Sequence, residues 1–400
     1  MNLLCNHNIT NMKNNPSPIA YHAISLAVFL TISLAYFSPM LNGKKMITPG
    51  DTRQFQGMVS EKTAYEKQSD EAILWTNTMF GGMPTYLIGS PQPPRGLQII
   101  NSIFVLRGKA RPLSFLLLYL IGFYILLNAF GVRPQLSIIG AIAFAFSSYF
   151  FVIIPAGHAT KAITIGYMPA VIGGVYLALR GKVLVGTIIT GLFLALQILN
   201  NHLQITYYTL LIILTLGIFE FVSAYQEKRL RPYFLSIGAL LVAVILAIAS
   251  NATVLWTTYE YGKYSTRGGS ELEIDANDQT SGLDKSYITG WSYGVDETFT
   301  LLIPNFKGGS SAGSLSEDSE TFKYFSQAQG NQYARQVIKY MPLYWGTQTS
   351  TAGPVYVGAV VLFLFVFGFI MIRSRLRWWL LTLTVLAIML SWGKNFMFLS

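Results

Sequence analysis

Asp51 is the first residue in the chain placed for acid–base work. It follows a Pro-Gly turn in Thr48-Pro49-Gly50-Asp51, about a dozen residues after the first long apolar run. A carboxylate held there could act as a general base, or as a ligand for a divalent cation. It could equally cap a helix over 52–60, a common duty for Asp after a turn. A second group is Pro155-Ala156-Gly157-His158-Ala159-Thr160-Lys161, a short turn between two apolar runs. His158 and Lys161 could grip a phosphate, Lys161 as a point charge, or Lys161 could snorkel to the interface. Arg267, in Ser265-Thr266-Arg267-Gly268-Gly269, suits bidentate phosphate binding. Asn200-Asn201-His202-Leu203-Gln204 forms another polar turn. Asn201, His202 and Gln204 could line a site or tie helices together. Trp75, ahead of Gly81-Gly82-Met83-Pro84, could wall a sugar or lipid headgroup, or belong to an interfacial aromatic belt. Trp291 and Glu297 stand in Trp291-Ser292-Tyr293-Gly294-Val295-Asp296-Glu297, where the acidic pair could serve a site or open a helix.

The chain contains no HExxH or P-loop, which removes the zincin and NTPase classes. Its single cysteine, Cys5, excludes a disulfide framework.

These groups sit between elements that must hold them. Of 400 residues, 52% are hydrophobic and only 12% charged, about half the charge of a soluble domain. Continuous apolar runs recur, so the fold class is an all-α polytopic membrane protein. Nine spans are expected, over 19–37, 113–130, 135–154, 162–179, 183–199, 205–222, 233–250, 354–372 and 378–392. With the N-terminal tail (1–18) cytoplasmic, the short inner loops hold nine basic residues, among them Arg180, Arg229 and Arg375. The short outer loops hold only Lys161, so the positive-inside rule sets the orientation. Most of the net charge of +10 is then a topology signal rather than a nucleic-acid patch. The bundle of seven spans covers 19–250 and carries a long extracytoplasmic loop, 38–112. A second extracytoplasmic segment covers 251–353, and two further spans follow over 354–400. The last apolar run stops close to Ser400, as in a fragment of a longer protein.

In this order and on one side, the Pro-Gly-Asp turn, the Trp75…Gly81-Gly82-Met83-Pro84 stretch, Gly157-His158…Lys161, Asn201-His202-Leu203-Gln204 and Ser265–Gly269 resemble the YfhO-like bacterial membrane proteins of the GT-C glycosyltransferase class. The resemblance covers nearly the whole chain from Ile19. It implies a GT-C-like bundle in the bacterial cytoplasmic membrane and a sugar donor linked to polyprenyl phosphate. It implies Asp51 as base or metal-site carboxylate, and basic residues holding the donor phosphate. Lys161, Arg267 and His158 are the candidates for that by chemistry. The acceptor would be an envelope polymer, a lipid or a protein. Two other classes compete: a transporter or flippase of a lipid-linked intermediate, and a non-catalytic assembly protein in which Asp51 is replaceable.

Overall fold

The computed structural model describes residues 17–47, 49–69, 71–88, 94–265, 268 and 285–396. Arg267 lies outside the described residues. The described residues are mostly helical: α1 (Pro18–Leu41), α2 (Gly50–Met58), α3 (Ser60–Ser69), α4 (Arg95–Phe104), α5 (Arg111–Ala129), α6 (Pro134–Ala145), α7 (Ser148–Ala156), α8 (Ala159–Leu179), α9 (Val183–Leu199), α10 (Leu203–Gln226), α11 (Leu230–Ala249), α12 (Ala252–Gly262), α13 (Lys285–Ile288), α14 (Glu320–Gln329), α15 (Asn331–Val337), α16 (Ala359–Met371) and α17 (Leu376–Ser391). Among the described residues, strand structure amounts to one two-residue hairpin and isolated bridges.

Five of these helices are long and apolar enough to cross a membrane, and six if the bent pair α6–α7 counts as one span. Three more apolar helices, α9, α16 and α17, are shorter. Each expected span therefore coincides with helix, but two differ from the sequence reading. The run 135–154 is not continuous: α6 and α7 meet at a 50° bend. The run from 354 becomes helical only at Ala359. One contact explains both. Backbone around Pro354–Tyr356 fills the break, with Ser148 N–H donating to Tyr356 O (3.1 Å), Ser148 Oγ to Pro354 O (2.8 Å) and Tyr356 N–H to Ser148 Oγ (2.7 Å). A broken span frees polar backbone groups, which lipid cannot satisfy and a neighbouring chain can.

Helix α8 is the axis of the bundle, with α5, α9, α10 and α11 packed around it. Its Tyr167, Ala170 and Val171 are fully buried. Small residues set the spacing: a Cβ on Gly174 would lie 2.7 Å from the Thr190 amide of α9. Without a hydrophobic drive between helices in lipid, such close approach is what gains dispersion contact. On the outer flanks, Leu184 and Ile188 of α9 and Leu241 and Ile245 of α11 are exposed, as lipid-facing positions should be.

The ends of α8, α10, α11 and α17 that carry most of the basic residues are tied by ion pairs. Glu220 accepts from Arg180 Nη2 (3.0 Å) and Arg229 Nη2 (3.2 Å). Glu227 accepts from Arg229 Nε (2.6 Å) and faces Arg375 (3.6 Å). Trp379 Nε1 donates to Thr215 Oγ1 (3.1 Å), so α17 is fixed to α10 as well. At the opposite end of α17, Trp392 Nε1 donates to Thr298 Oγ1 (2.8 Å) and Tyr293 N–H to Ser391 O (2.9 Å). That pair of bonds seats the segment after residue 285 on the bundle.

Candidate functional site

Helix α2 begins two residues earlier than a capping Asp51 would need. Its N-cap is Pro49, which makes no side-chain cap bond, and Asp51 lies in the first turn. Its carboxylate is therefore free of capping duty, while the helix N-terminus still favours its negative charge. The turn that carries it docks on the junction of α7 and α8. Gly157 ends α7 in the left-handed region, at φ +93°, where a side chain is strained. Space forbids one too: a Cβ there would sit 2.8 Å from Pro49 Cβ and 3.0 Å from Asp51 Cβ. Glycine is required twice at this point, once by the turn and once by the approach of the Pro-Gly-Asp segment.

That approach brings Asp51 Oδ2 to 3.3 Å from His158 Nε2. His158 is the N-cap residue of α8, and Lys161 follows in that helix's first turn. Burial and the neighbouring Lys161 ammonium lower the His158 pKa, and Asp51 pulls against them. The balance holds the His158 imidazole toward its neutral form beside the Asp51 carboxylate. The two side chains are 59% and 42% exposed, and exposed pairs contribute at most about 1 kcal/mol. Stability does not account for the arrangement. Chemically, it offers a carboxylate with an orienting imidazole, beside a cation at the amino end of a long helix. Such an end presents unpaired N–H groups to an anion.

The electrostatics predict a titration. By NMR, His158 should titrate below the usual value of about 6.5. Lys161→Met should raise its midpoint and Asp51→Asn should lower it. Movement in the opposite sense would refute the assignment of these neighbours. Because the folded value lies below the unfolded one, the unfolded chain binds more protons as pH falls through that range. The stability from this group is complete above about pH 6.5 and declines on acidification.

The other predicted residues fall into separate groupings. Trp75 pairs with Pro84 in the hairpin, its ring packs on Gly82, and its Nε1 donates to Asn77 Oδ1 (3.2 Å). Glu61 of α3 accepts from the hydroxyls of Thr76 and Thr78, which anchors that hairpin to α3 and lowers the Glu61 pKa. Asn201 is exposed, with φ +51°, and His202 is the N-cap residue of α10. Gln204 Nε2 donates to Tyr208 Oη (2.8 Å). The amide that turns inward is the neighbouring Asn200, which donates to Asn101 Oδ1 (3.1 Å). Adjacent amides in a turn read alike, and only the phase of α9 separates them. Trp291 is half exposed, edge-on to Tyr287. Glu297 is buried, accepting from Tyr344 Oη and Gln348 Nε2 at 2.8 Å each. It forms a small cleft with Thr300 and Lys307 in its own segment. The burial of Tyr293 beside Glu297 raises that phenol to about 12.

Asp51 and His158 supply two potential ligands for a divalent cation. Among the described residues no cluster of three His, Cys, Asp or Glu side chains accompanies them, which is too few for an all-protein cage. No protein-family model, curated protein or solved structure matches the chain.

Proposed function

We propose that this protein is a GT-C-type glycosyltransferase of the bacterial cytoplasmic membrane, moving a sugar from a polyprenyl-phosphate donor to an acceptor on the extracytoplasmic face. The observation that carries the reading is the docking of Pro49-Gly50-Asp51 on Gly157-His158, which sets a carboxylate against an imidazole that also feels the charge of Lys161. In this reading Asp51 takes the proton from the acceptor hydroxyl as the hydroxyl oxygen forms its bond to the anomeric carbon. The bond from that carbon to the donor phosphate oxygen breaks, and Lys161 stabilises the departing phosphate. His158 orients Asp51, a role that supplements its assignment to the phosphate. An apolar cavity of about 670 Å³, lined by residues including Val171, Leu194, Leu210, Leu240 and Val244, lies laterally among α8–α11. It is suited to a hydrocarbon chain. The acceptor remains one of three classes: envelope polymer, lipid or protein.

The test is transfer of radiolabelled sugar from a polyprenyl-phosphate hexose by the purified protein in proteoliposomes, with donor binding measured in parallel. Lys161→Ala should weaken donor binding about tenfold or more, the loss of one charge-assisted contact. Unchanged binding in that variant removes Lys161 from the donor site.

The bent α6–α7 pair favours a second reading, since discontinuous spans are common in transporters. Uptake of a lipid-linked intermediate that survives Asp51→Asn would favour it over transfer.

A further inference from the structure

Helix α4 interrupts the long segment between α1 and α5, and it carries apolar side chains on both its inner and its outer face. Asn101 faces the protein: its Oδ1 accepts from Tyr167 Oη (2.9 Å) on α8 and from Asn200 Nδ2 (3.1 Å) at the end of α9. Ser102, on an exposed edge, returns its hydroxyl to Gln98 O of its own helix (2.8 Å). The face turned away from the protein carries Ile99 and Ile103, one helical turn apart and 60% and 71% exposed, with Arg95 at its amino end. Leu97, Ile100 and Phe104 pack on the core, so apolar surface lies on both sides of the helix. Water would favour the opposite arrangement, with the amide outside and the isoleucines covered.

Depth points the same way. The Phe104 ring packs edge-on to Tyr167 (6.0 Å) and against Phe193 (5.7 Å). Tyr167 lies eight residues inside the start of α8, and Phe193 six residues before the end of α9. At 1.5 Å per residue these positions are about 12 and 9 Å below the rim of the bundle. The carboxyl end of α4 therefore sits at the level of the spans.

We infer that α4 is a lipid-embedded interfacial helix, with its Ile99–Ile103 edge in contact with the hydrocarbon chains of the bilayer. The segment between α1 and α5 is then not wholly aqueous. This rests on the membrane character of the bundle and is independent of the proposed transferase activity.

The experiment uses the full chain with Cys5→Ser, carrying a bimane fluorophore at Ile103→Cys. The protein is reconstituted into phosphatidylcholine vesicles with or without brominated chains. Ile188→Cys on the exposed flank of α9 reports lipid, and Lys67→Cys on α3 reports water. Brominated chains should quench the Ile103 label to the same extent as the Ile188 label, and aqueous iodide should quench only the Lys67 label. Iodide quenching at Ile103 equal to that at Lys67 overturns the inference. Shielding from both quenchers overturns it as well, the cover then being protein. A doubled particle mass would identify that protein as a second copy of this chain.

Discussion

Replacing Asp51 with Asn is expected to lower sugar transfer by about 10²- to 10⁴-fold, the usual contribution of a positioned general base. Asn keeps the Cβ that meets Gly157 and the size that fills the turn, so the docking of α2 on the α7–α8 junction should persist. What disappears is the negative charge 3.3 Å from His158. Because the pair is exposed, its loss should shift the melting temperature little. The measurement is initial rate at saturating donor, with expression and melting temperature followed alongside. A collapse in rate at constant stability is the expected pattern. A wild-type rate would remove Asp51 from the mechanism, and the base would then have to be another group.

The largest expected effect on stability is at Glu220. Its side chain is 3% exposed and meets Arg180 and Arg229 at 3.0 and 3.2 Å. Glu220→Ala leaves two guanidinium groups at the ends of α8 and α11 without the carboxylate that neutralises them. Removing one partner of a buried pair costs about 3–5 kcal/mol. The low end applies here, because Arg229 keeps Glu227 and Arg180 is about one-third exposed. Glu227→Ala should cost less, since Glu227 is 42% exposed and its partners reach solvent. Thermal unfolding of both variants in one detergent provides the comparison. Equal losses, or a greater loss at Glu227, would show that burial does not rank these carboxylates. In the same network Arg180, Arg229 and Arg375 hold the helix ends together.

The apolar runs by themselves determined that the chain is a bundle of membrane helices, because burying unpaired backbone in lipid leaves few alternatives to a helix. The Pro-Gly step placed Asp51 near the rim, and the Gly-His-x-x-Lys spacing placed two basic groups at a helix end. Local spacing can say that much, since turns and helix ends depend on neighbouring residues. Tertiary structure alone decided which of these groups meet. Asp51 reaches His158 because Gly157 leaves room for Pro49, a contact between segments more than a hundred residues apart. Packing also chose Asn200 over Asn201 as the inward amide, enclosed Glu297 among Tyr344 and Gln348, and let the chain at 354–356 fill the break in α6–α7. The physical reason is that hydropathy fixes how much of a helix is buried. The rotation of the helix, and hence the partner of each polar side chain, follows from close packing of remote surfaces.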